Sequence, residues 1–341
     1  MHLNKFRICV MWLFLSLFAA TAMACTPQTP VDPNPTTTTT VPIPTTWDFS
    51  LRVGVTPDLV TKYGGLTAIR TKIDLQLSEV NARYTDFTKP ISWSVGELYT
   101  YAQPAWMEVN SSFTIDHGGQ DFLLLYAEGT GGAGWYGAQH SIVIDWAPTS
   151  GGVFDVNAMY ALIHELGHAR GMIDMYQLQV TSNPIGGGLY APPAGFMTYP
   201  YGATAFDAYN KAIGNAAGPD VNYDVIVPDN LPTNYKVVVK NLSGATVNGA
   251  SVTLYPMTWG AGTISTTASQ SGSTSTSGTW TIPSNPFAPS VGQPWDLTYP
   301  LLLVKATAAG KTGYGWLTLP DAGLAYFANP NAPFQQTITV S

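Results

Sequence analysis

The run HELGHARGMID, residues 164 to 174, allows few backbones. His164 and His168 stand four apart, and on an α-helix residues at that spacing lie one above the other on the same face. The apolar residues just before them continue the helix back towards Val156, where Asp155 or Asn157 can cap its start. Gly171 follows His168 by three positions. Glycine takes positive φ without a steric penalty, so a helix that reaches Gly171 is expected to end in a sharp bend. The chain then turns back, and Asp174 can return to the face that carries both histidines. Any fold for this chain must hold a helix whose end is doubled over by the residues that follow it.

Such an arrangement has a chemical use. Neutral imidazoles suit zinc, which takes its ligands tetrahedrally. Two helical histidines leave room for a third protein ligand and a water, and Asp174 offers the third ligand. Glu165 lies beside His164 without crowding the coordination sphere, where a carboxylate can serve as base towards a water acidified by the ion. H-E-x-x-H alone would equally fit a polar helix face whose histidines bond to neighbours; the added G-x-x-D weighs against that. Should Asp174 not serve, Asp207 is the next downstream carboxylate to consider.

Residues 164 to 174 read H-E-x-x-H-x-x-G-x-x-D. This resembles the zinc site of the metzincin metallopeptidases, H-E-x-x-H-x-x-G-x-x-H. Aspartate as third ligand resembles the snapalysin-like small neutral proteases, and the Asp-x-Tyr ending is similar to the immune inhibitor A family. Metzincins also carry a methionine-bearing turn beneath the zinc, and AGFMTYP puts Met197 in that position with Tyr199 two residues later. The resemblance covers roughly residues 50 to 215 in element order. It implies a zinc endopeptidase acting on polypeptide, with one catalytic Zn²⁺ on His164, His168 and Asp174. Glu165 would be the general base and Tyr199 a hydrogen-bond donor to the oxyanion, with Gly171 and Met197 shaping the site. An aspartate ligand brings negative charge, so a water on the ion should be less acidic than with three imidazoles. An extended substrate can add to an exposed strand edge. The strand before the histidine helix, HSIVIDW, makes Ser141, Ile142, Val143, Ile144 and Asp145 the expected edge. His117 and His140 read as surface or hydrogen-bonded histidines rather than further ligands.

The N-terminus speaks to location. Lys5 and Arg7 precede an apolar run from Ile8 to Ala20, followed by small residues in ATAMAC, which is a signal peptide over residues 1–24. Ala22-Met23-Ala24 suits ordinary cleavage, while Cys25 directly after it resembles a lipobox, although Ala22 stands where Leu is usual. Cys9 leaves with the signal, so the mature chain would keep one of the two cysteines and no internal disulfide. A lipid on Cys25 explains that lone thiol; free secretion is the alternative. Both put the protein outside the cytoplasm, touching a membrane only through the lipid. Residues 25–46 are mostly Thr and Pro and read as a tether. The net charge of −7 argues against nucleic acid as a partner, and a monomer is expected.

From Trp47 the pattern becomes globular. FSLRVGV alternates like a strand, while Leu66, Ile69, Ile73, Leu77 and Val80 recur at helical spacing. ISWSVGELY, DFLLLYA and HSIVIDW read as strands, EGTGGAGWYG as a Gly-rich turn, and TAFDAYNKAIGNA as a later helix. This predicts an α+β fold: a catalytic domain over residues 47–228, which the resemblance makes a twisted mixed sheet with about three helices. Beyond it no helical periodicity is visible. YKVVVKNLSGATVNGASVTLYPM reads strand, turn, strand, and further short strands predict an all-β sandwich over residues 235–341. NLSGATVNGASVTLY resembles the opening hairpin of transthyretin-like or Ig-like surface modules. Every candidate ligand precedes residue 217, so this module is expected to be dispensable for cleaving a small peptide. Two other functions fit the same sequence. One is a surface binding or adhesion protein on a metallopeptidase-like scaffold, which would need a broken site where none is broken. The other is a hydrolase of a non-peptide amide.

Overall fold

The computed structural model describes residues 45–102, 116–129, 132–137, 140–147, 151–221, 230–287 and 299–341. The signal sequence, Cys25 and the tether up to residue 44 lie outside the described residues. Among the described residues no helix is long and apolar enough to cross a membrane.

The N-terminal half is built on a sheet of five strands: β1 (Trp47–Val55), β2 (Ile91–Thr100), β3 (Phe122–Ala127), β4 (Gly132–Tyr136) and β5 (Ser141–Asp145). Their order is β2-β1-β3-β5-β4. β1 pairs parallel with β2 and β3, β3 pairs parallel with β5, and β4 runs antiparallel to β5. The central strand β3 is buried at every position, as the apolar run FLLLYA requires of a strand covered on both faces. The short helix α1 (Pro57–Lys62) leads into α2 (Leu66–Arg83), which turns Ile69, Ile73, Leu77 and Val80 into the core and leaves Leu66 exposed at its start. Helices α3 (Val156–His168) and α4 (Ala208–Ala217) complete this half.

Strand β4 corrects the reading of residues 128–137 as a turn, and with it the expected substrate edge. Two glycines in GAGWY lower its strand propensity, but pairing with β5 overrides that. β5 is therefore an interior strand. Ser141, Ile142, Val143, Ile144 and Asp145 are all buried between β3 and β4, and the edge on this side belongs to β4.

The C-terminal region holds strands β6 (Tyr235–Asn241), β7 (Ser251–Met257), β8 (Gln270–Ser273), β9 (Thr279–Thr281), β10 (Leu301–Ala308), β11 (Lys311–Thr318) and β12 (Phe334–Val340). They form a four-stranded antiparallel sheet, β11-β10-β7-β8, and a three-stranded sheet, β12-β6-β9, in which β12 and β6 are parallel. Two expectations fail here. β6 and β7 do not pair as a hairpin but belong to different sheets. A helix, α5 (Leu319–Ala328), stands where no helical periodicity was read. Its start has a local signal: Thr318 Oγ1 accepts from the Asp321 amide at 3.1 Å, with proline in the first turn.

The fold is α+β, and Pro44 to Ser341 form one compact unit. The boundary drawn near residue 230 divides the sequence but not the core. Val180, after the candidate site, is buried with Met257, Ile264, Leu301 and Leu303, and Gly323 of α5 lies against the Tyr209 ring of α4.

Candidate functional site

The helix bearing the histidines starts at Asp155, whose Oδ1 accepts from the Asn157 amide at 2.8 Å. It ends at His168, and Gly171 takes φ 74°. The bend is closed by Gly171 N–H to His168 O at 2.8 Å and Met172 N–H to Gly167 O at 3.1 Å. Arg170 is fully buried in this bend; its guanidinium lies over the Phe49 ring at 4.4 Å and donates to Gly218 O and Asp220 O, both at 2.8 Å. The turn is thus tied to the C-terminal end of α4.

Beyond the bend, the backbone around Asp174 is clamped on both sides. Ile173 N–H donates to Asn210 Oδ1 at 2.8 Å, and Met175 N–H donates to Met197 O at 2.8 Å. Met197 is fully buried, its sulfur 2.7 Å from the point a Cβ on Gly167 would occupy. That contact accounts for a glycine inside a helix, where propensity disfavours it. Asp207 does not reach the site. It caps α4, accepting from the Tyr209 and Asn210 amides at 3.1 and 3.0 Å and from Asn210 Nδ2 at 2.7 Å.

The two imidazoles are oriented by their outer nitrogens. His164 Nδ1 lies 2.8 Å from Phe196 O, and His168 Nδ1 lies 2.8 Å from Met172 O. A carbonyl oxygen only accepts, so each Nδ1 carries the proton and each Nε2 of the neutral ring keeps its lone pair. Those Nε2 atoms are 3.2 Å apart, and Asp174 Oδ1 is 3.0 Å from His164 Nε2 and 3.1 Å from His168 Nε2. Asp174 Oδ1 is buried and faces both nitrogens. Three atoms with lone pairs so close together repel unless a proton or a metal ion lies among them. Ligands about 2.0–2.1 Å from a tetrahedral ion are separated by about 3.3 Å, close to the spacing observed. His164, His168 and Asp174 could therefore hold a metal ion.

The charges agree with that arrangement. Burial opposes ionisation of Asp174, yet both histidines hold its carboxyl well below the usual carboxylate range. Burial lowers the His168 pKa, but the hydrogen bond and charge of Asp174 outweigh it and the net shift is upward. Glu165 is raised, chiefly by burial, against the pull of His168 and His164.

A cavity of about 680 Å³ opens on His164 and Glu165, lined also by Gly132, Ala133, Trp146 and Tyr199 among others. Of the residues singled out in the sequence, the fold brings His164, Glu165, His168, Asp174 and Tyr199 to this place. Tyr199 is 67% exposed, with its ring against that of Tyr201 at 5.2 Å. The strand at 141–145 is not part of it. Three residues that sequence reasoning missed matter here. Tyr176 Oη and Gln177 Nε2 donate to Asp174 Oδ2 at 3.0 and 2.7 Å, and Asn210 holds Ile173. Tyr176 has a signal in the Asp-x-Tyr ending; Gln177 and Asn210 have none, because their role depends on where a turn and a distant helix meet.

No protein-family model matches the chain, and no curated protein matches it in sequence. A solved structure described as a chaperone–substrate complex aligns with 52% of this chain and 35% of its own at 14% identity, with a TM-score of 0.35. The chain thus spans about a third of that neighbour, and a likeness so weak carries no functional argument.

Proposed function

We propose that the protein is a zinc-dependent endopeptidase, with a metzincin-like catalytic part over residues 47–228 followed by a β-sandwich module. The observation that carries this reading is the convergence of His164 Nε2, His168 Nε2 and Asp174 Oδ1 within 3.2 Å of one another, with both Nδ1 atoms bonded elsewhere. When bound, zinc polarises a carbonyl and lowers the pKa of a water towards neutrality. Glu165 lies in the same cavity and is buried, which raises its affinity for a proton. It takes the proton of the attacking water and passes it to the leaving amine. Tyr199, which lines the same cavity, donates a hydrogen bond to the oxyanion as the carbonyl becomes tetrahedral.

An extended substrate suits the edge of β4 rather than β5, because Gly132 and Ala133 line the cavity beside Glu165. Trp146, Tyr176, Tyr199 and Tyr201 give that cavity an aromatic wall. The protein acts outside the cytoplasm as a monomer, anchored through a lipid on Cys25, with polypeptide rather than nucleic acid as its partner.

Casein digestion by the purified mature protein tests the reading directly. Activity should vanish with a chelator and return with Zn²⁺, and elemental analysis should find one zinc per chain. Zinc binding without casein cleavage, but with release of amine from an acyl-amide, would move the assignment to a non-peptide hydrolase. Neither zinc uptake nor hydrolysis would leave a binding protein.

A further inference from the structure

Asp174 uses its two oxygens differently. Oδ1 faces the histidines, while Oδ2 accepts from Gln177 Nε2 at 2.7 Å and from Tyr176 Oη at 3.0 Å. These donors sit in a 3₁₀ turn, Met175–Leu178, that is only four residues long. So short a turn does not hold itself and takes its shape from what it packs against. Met175 ties one side of it to Met197 O, and the other side meets the C-terminal region. Gln177 O accepts from Gly260 N–H at 3.2 Å, and a Cβ on Gly260, whose φ is 69°, would meet Gln177 Oε1 at 3.4 Å. The turn after β7 is therefore seated on both the backbone and the side-chain amide of Gln177.

The next residues lengthen the seam. Gly262 O accepts from the Thr181 and Ser182 amides at 2.8 and 3.1 Å, and Ile264 N–H donates to Ser182 O at 3.1 Å. Tyr190 packs its ring on Trp316 at 5.6 Å, and Tyr314 Oη donates to Ile185 O at 3.3 Å. A continuous series of contacts runs from the third metal-binding candidate into the four-stranded sheet.

We propose that Gln177 is a positioning residue for the metal site and that the turn over residues 258–262 fixes it, so that metal binding and order in that turn are coupled. The proposal rests on the zinc reading above. A carboxylate on a free side chain can swing about its Cα–Cβ and Cβ–Cγ bonds. Two donors on Oδ2 fix its plane and leave Oδ1 directed at the histidines. Loss of such an outer partner typically weakens metal affinity about 10–100-fold. Coupling is reciprocal, so whatever the turn contributes to zinc affinity, zinc contributes to the order of the turn.

The test uses the full mature chain and reads zinc affinity by competition with a chromophoric chelator. Gln177→Met keeps the length of the side chain but cannot donate; Gln177→Ala removes it. Both should bind zinc about 10–100-fold more weakly than wild type. With Co²⁺ in place of zinc, their visible absorption bands should shift, which a loss of stability alone would not cause. Amide exchange supplies the second arm. Zinc should slow exchange at Gly260 and Ile264 in wild type, and much less in Gln177→Met. Equal zinc affinity and unchanged Co²⁺ bands in Gln177→Met, with exchange at Gly260 indifferent to zinc, would overturn the proposal while leaving the zinc reading intact. A wild-type chain that binds zinc no better than His168→Ala would instead sink the zinc reading, and the proposal with it.

Discussion

The two histidines owe their chemistry to the nitrogens that face away from the cavity. Phe196 O and Met172 O accept from Nδ1 and so decide which lone pairs point inward. Glu165 is not one of the three converging ligands, and that separates its role from theirs. Glu165→Gln keeps size and shape, so zinc content should stay near one per chain while turnover falls about 10²–10⁴-fold. Retained activity would mean that another group takes the proton. Asp174→Ala should lose zinc first and activity as a consequence; Asp207 offers no rescue, since its oxygens already cap α4. Tyr199→Phe should cost about 10–10³-fold in turnover without loss of metal. On the zinc reading protons compete with the ion for this site, and the signs follow from the shifts. His168 holds its proton above the ordinary histidine value and Asp174 loses its own below the ordinary carboxylate value. Without metal, their ion pair contributes most between about pH 4 and 6.5. It fades as pH rises through the raised His168 value and as pH falls through the lowered Asp174 value. Zinc must displace the His168 proton, so the gain in Tm on adding zinc should grow from pH 5.5 to 7.5. A gain that shrinks over that range would contradict this arrangement.

At the scale of elements, the histidine helix and its bend are the most legible part of the chain, because period, cap and glycine all lie within about twenty residues. Strand β4 was hidden because glycine-rich strands look like turns until a neighbour pairs with them. The same holds for the sheet edge, which depends on strand order and not on any local run. Helix α5 is short and mostly apolar, so only its Thr-x-x-Asp start marks it. Asn210 and Gln177 were invisible for another reason: each acts through side-chain hydrogen bonds to a segment far away or newly turned. The bend itself is held from below by Arg170, and this can be measured. Arg170→Met removes two 2.8 Å bonds, to Gly218 O and Asp220 O, and the charge over Phe49. Hydrogen bonds to charged groups contribute about 1.5–3 kcal/mol each, so a loss of about 3–6 kcal/mol in denaturant unfolding is expected. Zinc affinity should fall with it, since the same bend delivers Asp174. A variant as stable as wild type would show that the bend stands without this anchor.

Pro44 to Ser341 pack as one compact unit, and the cluster around Val180 joins strands and loops from both sides of residue 230. Calorimetry should therefore show a single cooperative transition, which zinc moves upward as a whole through preferential binding to the folded chain. Two transitions, of which zinc moves only the earlier or the later, would mean that the C-terminal sheets fold on their own, as the sequence suggests by itself. The seam between residues 177–190 and the last hundred residues also has a meaning in time. A chain is made from its N-terminus, so the histidine helix is complete long before β10 and β11 exist. Until the last hundred residues arrive, Val180 lacks Met257, Ile264, Leu301 and Leu303, Tyr190 lacks the Trp316 ring, and Gln177 lacks the turn over residues 258–262. A partly made chain would carry both imidazoles but no settled third ligand. The contact that seats Gln177 is thus added well after the histidine helix has been made.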